Sequence, residues 1–295
     1  MRVTSEMMVG STVQRLSSRM AQYERAQSKL ATGKEIRRPS DDPSRANRGL
    51  SLRSTERSRL QEQRNAEDAK SWLHTTDSSL QSSMDRIQRA RELAVQGSNE
   101  GLSQHARDAL AEEVATIRAE IVEIGNTRLR GQHIFAGYRN EAAVTGGPGD
   151  WEVVGDPDDA IERRVGDGDK VRVNTTATEA FGAGQDSAFA VLDRLEARLR
   201  GDDTAPVASS LTEIDDVRER LGGEMARIGA NTNWVESAVA RSEDSLHTLR
   251  TELSEVEDAD FAEAVMDLQV QDMGLQATLQ ALGRSLPPSL AAFLR

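Results

Sequence analysis

The feature that most constrains the fold is a long apolar repeat in the last third of the chain. Eleven positions from Leu221 to Val256 alternate in steps of four and three residues, and only Thr232 and Ser242 among them are polar. This is the 3.5-residue period of a coiled-coil seam. The helical stretch from Leu211 to Val256 would be about 70 Å long at about 1.5 Å per residue. No globular core is that deep, so the sequence predicts a rod.

Other helical stretches share this pattern. One begins near Pro43, and another carries a seam from Leu110 to Ile124. Seams near the two ends of the chain contain Val9, Val13, Leu16, Met20, Tyr23, Gln27 and Leu30, and then Phe261, Val265, Leu268, Asp272, Leu275, Leu279, Leu282 and Leu286. Aromatic residues make up only 3% of the chain. We therefore expect a mainly α fold, an elongated coiled-coil or helical-bundle rod built from the N- and C-terminal segments.

Two helix breaks separate the terminal seams from this body. After the first seam, Gly33 supplies a helix stop and Pro39 prevents continuation, while Asp42 and Pro43 fit the N-cap and first residue of a new helix. Near the other end the phase slips at EVEDAD, where Asp260 with Glu263 fits a capping box. Each end of the chain is thus predicted to carry its own amphipathic helix.

A stretch of different character interrupts the helical pattern. Residues 141–185 are rich in Gly and Asp and contain alternating β-type runs at 151–154 and 170–173. We expect three parts: terminal helices at 1–38 plus 260–295, a rod core at 39–140 plus 186–259, and a small β-rich outer insertion at 141–185.

Charge and composition exclude several classes. The net charge of -12 argues against a nucleic-acid partner. Residues 1–64 hold 14 basic against 7 acidic side chains and residues 201–295 hold 7 against 18, so opposite ends could attract one another, unless both are simply solvated faces. The chain has no cysteine, its opening is not typical of a cleaved secretory signal, and no segment is apolar enough for a membrane span.

Candidate chemistry is absent from the sequence. Asp41 and Asp42 fit helix caps better than a catalytic pair, and the four histidines are scattered without metal-ligand spacing. The run VGDGDKV lacks the remaining ligands of a calcium loop and favours a hairpin turn. We therefore expect no catalytic, cofactor or metal site, and a chain that assembles rather than catalyses.

Several motifs resemble one family. KLATGKEIRRPSDDPSRANRGL is similar to the N-terminal motif of the flagellin superfamily, and its SDDP form resembles the hook-filament junction branch. NAEDAKSWLHTTDSSLQSSMDRIQRARELAVQGSNEGLS and GNTRLRGQHIFAGYRN are similar to the central helical hairpin of that branch and the segment leaving it. SEVEDADFAEAVMDLQVQDMGLQATLQAL and the ending PPSLAAFLR resemble its C-terminus.

The resemblance implies a non-enzymatic adaptor between the flagellar hook and the filament. It implies secretion through the flagellar type III export channel, with terminal helices that are disordered in the monomer and fold on assembly. A protease would then leave a core of about residues 40–258. Implied partners are flagellin, a neighbouring hook-associated junction protein, further copies in a ring-like layer, and an export chaperone on the C-terminal helix, gripping Leu275, Leu279 and Leu282.

The predicted assembly residues are those of the terminal seams, and the predicted breaks separate them from the body. The assembly residues are Val9, Val13, Leu16, Met20, Tyr23, Leu30, Phe261, Val265, Leu268, Leu275, Leu279, Leu282 and Leu286; the breaks are Gly33, Pro39, Asp42, Pro43 and Asp260. One alternative is a flagellin that builds the filament itself. Another is a cytosolic coiled-coil scaffold, which explains the seams but not the matching breaks; an enzyme fits the sequence least.

Overall fold

The computed structural model describes residues 2–156, 158–166 and 168–285. Their helices are α1 (Arg2–Thr32), α2 (Pro43–Gly97), α3 (Gln104–Gly125), α4 (Ala177–Phe181), α5 (Ala188–Arg200), α6 (Ser209–Glu257) and α7 (Phe261–Ser285). Their strands are β1 (Arg128–Leu129), β2 (Gln132–His133), β3 (Val144–Gly147), β4 (Asp150–Val153), β5 (Glu162–Arg164) and β6 (Lys170–Arg172), and Gly184–Asp186 forms one 3₁₀ turn. The prediction of a mainly α fold with long helices and a small β-rich insertion is confirmed.

Contacts divide the chain into two compact units. The terminal unit combines the described residues up to Arg57 with those from Leu246 onwards, and the central unit spans Ser58–Ser245. Both α2 and α6 have residues in each unit. All eleven members of the long α6 seam are buried or half-buried, as a packed coiled-coil face requires.

The core of the central unit is a packing of long helices. Its apolar side chains project from the facing stripes of α2, α3, α5 and α6, as helical periodicity dictates. Representative fully buried members are Leu73, Leu80, Ile87, Val114, Ile121, Leu192, Leu195, Ile214, Leu221 and Ile228. Pairing of apolar faces therefore supplies most of the stabilisation.

The strands form three small antiparallel hairpins rather than one sheet: β1 with β2, β3 with β4, and β5 with β6. Arg130 and Gly131, between β1 and β2, both have positive φ, at 51° and 86°. This is the backbone of a two-residue primed turn, whose twist suits a tight hairpin. The end of β5 and the start of β6 flank the run that the sequence predicts to be a hairpin turn, VGDGDKV, in which Asp167 lies outside the described residues.

Aromatic rings attach the insertion to the helices. The ring centroid of Phe181 lies 5.4 Å from that of Phe135 and 5.6 Å from that of Phe189, and Trp151 of β4 lies 5.5 Å from Phe189. Since the chain has only five phenylalanines and three tryptophans, its few aromatic side chains are concentrated here. Each such ring pair contributes about 1 kcal/mol beyond its area burial.

A buried ionic cluster reinforces the same attachment. The Asp193 carboxylate of α5 accepts hydrogen bonds from Trp151 Nε1 at 2.6 Å and from the Gly149 backbone N–H at 2.8 Å. Arg118 of α3, itself buried, pairs with Asp193 at 2.6 Å and with Glu196. Asp193 thus joins the β3–β4 hairpin to two helices of the central unit.

Candidate assembly site

The two terminal helices pack against each other. Ala26 of α1 and Ala264 of α7 are buried, which allows close approach of the helices. The charge of Lys29 interacts with Glu263 and Asp267, whereas the Arg19 guanidinium lies over Gly274, 3.7 Å from where a Cβ would stand. Residues earlier in α1 therefore lie beside residues later in α7, so the two helices are antiparallel.

The first break follows its sequence signals closely. Helix α1 ends at Thr32, and Gly33 has φ of 64°, a conformation that glycine adopts without strain. Asp42 Oδ1 accepts hydrogen bonds from the backbone N–H groups of Ser44 and Arg45, both at 3.0 Å, so it caps α2. Pro43 is the first residue of that helix, and Pro39 lies in the turn before it.

Asp41 and Asp260 fix the backbone beside the two breaks. Asp41 Oδ2 accepts from the N–H groups of Arg38 at 2.8 Å and Arg37 at 3.2 Å, and these backbone hydrogen bonds lower the pKa of Asp41. Asp260 Oδ1 accepts from the N–H groups of Ala262 at 2.8 Å and Glu263 at 3.2 Å at the start of α7. Asp260 thus caps the start of α7, whereas Asp41 holds the turn that precedes α2.

The structure brings the two breaks together, which their separate sequence signals did not indicate. Lys34 and Asp258 form an isolated antiparallel β-bridge. The Glu35 N–H donates to the Glu257 carbonyl at 2.7 Å, and the Ala259 N–H donates to the Gly33 carbonyl at 2.9 Å. We call residues 33–35 and 257–259, with the side chain of Arg53, the clasp.

Ion pairs surround this backbone bridge. Glu257 Oε2 accepts from Arg53 at 2.6 Å and from Lys34 Nζ at 3.4 Å, and Lys34 Nζ also donates to Asp258 at 2.6 Å. Glu257 is only 8% exposed. Nearby, the Arg45 guanidinium donates to the carbonyl of Val256 at 2.8 Å, which satisfies an orphan group at the end of α6.

The clasp keeps its groups charged. Burial opposes ionisation of Glu257, yet the hydrogen bonds and charges of Arg53 and Lys34 outweigh it and lower the pKa of that carboxyl. The Lys34 hydrogen bond, followed by that of Ser254, lowers the pKa of Asp258. In return, hydrogen bonding to Asp258 raises the pKa of Lys34. The charged forms stabilise one another.

The predicted assembly residues divide into an exposed group and a half-buried group. Exposed fractions are 54% for Val13, 50% for Met20, 71% for Phe261 and 50% for Leu279. The half-buried members are Leu16, Tyr23, Leu30, Val265, Leu268, Leu275 and Leu282. Val9 lies in α1, and its side chain is outside the described part, as are Leu286 and the ending PPSLAAFLR. All described members lie on α1 or α7, which the structure pairs.

A second apolar stripe on α7 was missed by the sequence analysis. Met266, Val270 and Met273 are 60%, 58% and 61% exposed, and they follow one another at helical spacings of four and three residues. A second count of periodicity, two residues out of phase with the first, could have found them. Helix α7 therefore presents apolar side chains on two faces. Single exposed apolar residues are common on protein surfaces, whereas an aligned row of them is typical of an interaction surface.

Within the described residues, no group of three or more His, Asp or Glu side chains is arranged to hold a metal ion. None of the described helices combines the length and apolarity needed to cross a bilayer. What the described terminal unit offers is an apolar, helical surface beside a charged clasp.

Comparison with known proteins is consistent with this arrangement. Residues 3–140 match the family model described as the bacterial flagellin N-terminal helical region. The chain is 25% identical over 303 residues to flagellar hook-associated protein 3 of Escherichia coli (strain K12), covering 95% of this chain and 96% of that relative. It is 23% identical over 300 residues to the flagellin of Bacillus subtilis (strain 168), covering 97% and 96%.

The fold also has a solved counterpart. A structure from Vibrio parahaemolyticus, described as a flagellar hook-associated protein, has a TM-score of 0.69 at 24% identity and covers 74% of this chain and 100% of its own. At that identity the likeness establishes the fold. The family match over residues 3–140, the relatives aligned over almost the whole chain and the shared fold together show that this chain is similar to proteins of the flagellin superfamily.

Proposed function

We propose that this protein is a structural, non-enzymatic component of the bacterial flagellum that joins the hook to the filament. The observation that carries this proposal is the alignment with flagellar hook-associated protein 3 over 95% of the chain. The paired terminal helices, with exposed apolar side chains on α1 and α7, supply the surface through which such a protein would assemble.

Assembly through these helices has a simple energetic basis. An isolated helix is marginal in water because its apolar face has nothing to bury against. Fixing the backbone costs about 1 to 2 kcal/mol per residue. Covering exposed apolar side chains such as Met266, Val270 and Met273 with neighbouring subunits would offset part of this cost. The terminal helices, residues 1–38 and 260–295, would thus become fully ordered only when neighbouring subunits cover them.

The partners follow from the position in the flagellum. One axial neighbour is a second hook-associated junction protein, the other is flagellin, and further copies of this chain complete a ring-like layer. Before assembly, an export chaperone would hold the C-terminal helix at Leu275, Leu279 and Leu282. The chain would leave the cell through the flagellar export channel, and the insertion at 141–185 would face outwards.

Deletion of the gene in its own host tests the proposal. We expect intact hooks without filaments, together with flagellin released into the medium as monomer, as seen by electron microscopy and immunoblotting. Complementation with the unaltered gene should restore filaments. Unchanged flagella in the deletion strain would refute a role at the junction.

A second candidate is the filament subunit itself, because the flagellin of Bacillus subtilis aligns with 97% of the chain. The same deletion separates the two candidates. Loss of filaments without any other flagellin in the medium would make this protein the filament subunit. Shed flagellin of a different sequence would make it the adaptor.

A further inference from the structure

We propose that the clasp is closed in the free chain and that it fixes the register of the N-terminal helix against the C-terminal helix before any subunit contact forms. Glu257 is the positioning residue of this device, and Lys34 and Arg53 are its cationic partners. The inference concerns the isolated chain and does not depend on the proposed place in the flagellum.

Apolar packing alone leaves the register of α1 and α7 undetermined. Both seams repeat every seven residues on average, so a slip of seven residues restores the match of apolar faces and moves one helix by about 10 Å. Such repeats need a polar or charged contact at one position to select a single alignment, which is the best attested role of buried polar groups in coiled coils.

The clasp has the required chemistry. Glu257 is 8% exposed, and two cations from different segments share its carboxylate. A slip of one residue would bring Val256 or Asp258 into its place and separate the buried carboxylate from its partners. Leaving a buried charge without its partner is strongly destabilising. Wrong alignments are therefore penalised even where their apolar contacts are equivalent.

The backbone adds a second constraint. The hydrogen bonds that flank Lys34 and Asp258 run from residue 35 to 257 and from 259 to 33, which identifies this position as a non-hydrogen-bonded antiparallel pair. The close packing of Glu257 against α2 supports the same alignment. A Cβ atom at Gly49 of α2 would lie only 3.0 Å from Glu257 Oε1, so the glutamate side chain fits closely against this glycine. Both hydrogen bonds and this fit belong to the pairing of Lys34 with Asp258.

Residues of α1 and α7 farther from the clasp lie in the same register. From Lys34 to Arg19 the chain goes back 15 residues, and from Asp258 to Gly274 it goes forward 16. Between these points, the charge of Lys29 acts on that of Glu263, at a matching offset of 5 residues from the clasp on each side. One alignment, set at the clasp, therefore extends along at least four turns of both helices.

Hydrogen exchange on the full-length free chain tests the proposal. We expect the amides of Glu35 and Ala259, which donate across the clasp, to be protected in the unaltered protein. The Glu257→Gln variant should lose about tenfold or more of that protection, since hydrogen bonds to charged groups contribute about 1.5 to 3 kcal/mol. Glu255→Gln, at an exposed neighbour, is the matched control and should leave both amides unchanged.

Disulfide formation provides an independent readout, because the chain has no cysteine of its own. Non-hydrogen-bonded pairs have Cα atoms about 4.5 Å apart, within the range that a disulfide accepts. Lys34→Cys with Asp258→Cys should oxidise rapidly in the free monomer. Arg38→Cys with Asp258→Cys, outside the bridge, should form little intramolecular disulfide.

Two outcomes would overturn the proposal. If the amides of Glu35 and Ala259 exchange at unprotected rates in the free chain, the clasp is not closed before assembly. If both amides are as strongly protected from exchange in the Glu257→Gln variant as in the unaltered chain, the carboxylate does not position the helices. Gene deletion, which tests the junction role, is unaffected by either result.

Discussion

At the scale of single residues, Arg118 shows how a buried charge can be structural rather than chemical. Its guanidinium pairs with Asp193 and Glu196, and Asp193 in turn holds the β3–β4 hairpin through Trp151 and Gly149. Removing one member of a buried ion pair leaves an uncompensated charge. This destabilises the fold more than replacing both members by apolar residues would.

We therefore expect Arg118→Ala to destabilise the central unit by about 3 kcal/mol or more, since two partly buried carboxylates would lose their cation. Urea unfolding followed by tryptophan fluorescence measures this change. Arg86→Ala is the control, because Arg86 and Glu120 form an exposed pair on α2 and α3 that contributes less than about 1 kcal/mol. Equal losses in the two variants would contradict a special role for Arg118.

Acid should open the clasp. The pKa values of Glu257 and Asp258 are lowered in the folded chain, so the unfolded segment takes up protons first as pH falls. Their stabilisation is complete above the ordinary carboxyl range, about pH 4 to 4.5, and is lost progressively below it. The protection of the Ala259 amide, corrected for the intrinsic pH dependence of exchange, should decrease between pH 5 and pH 3, while constant protection would contradict the ionic account.

At the scale of elements, the sequence predicted the helices well where one face of a helix is buried. The α6 seam, the Pro43 start of α2 and the Gly33 stop of α1 are all local signals, in periodicity, capping and backbone conformation. The short hairpin β1–β2 escaped notice because two-residue strands have no periodicity to count. The second stripe of α7 was missed because one strong seam conceals another on the same helix.

That second stripe should matter for assembly but not for folding of the central unit. Val270 is 58% exposed, so Val270→Lys should fold normally and fail to incorporate into flagella, because burying an unpaired ammonium group costs several kcal/mol. Motility and the protein content of purified flagella measure this effect. Gln280→Lys, at an exposed polar position of the same helix, should assemble normally.

At the scale of the whole molecule, the sequence located both breaks but not their pairing. Lys34 and Asp258 are 224 residues apart, and nothing in the local sequence distinguishes a paired lysine or aspartate from a solvated one. The assignment of the terminal helices to subunit assembly rests on the family resemblance and stays a prediction. The clasp is the part of the site that only the folded chain could reveal.

Limited proteolysis tests the division of the chain. The breaks alone predict a resistant core of about residues 40–258, and a closed clasp extends it to about residues 33–259, because backbone held in hydrogen bonds resists cleavage. Mass spectrometry of the core after brief digestion of the free protein gives both ends. A resistant full-length monomer would contradict terminal helices that are ordered only on assembly.

The three tryptophans have a consequence for how this molecule can be observed. Trp72 is buried on α2, Trp151 is half-buried in the insertion and Trp234 is 42% exposed on α6, and all three belong to residues 58–245. Intrinsic tryptophan emission therefore reports on the central unit in three environments and is silent about the terminal helices. A tryptophan introduced at Tyr23 would supply the missing optical signal, so that ordering of the helix pair during assembly could be timed separately from folding of the body.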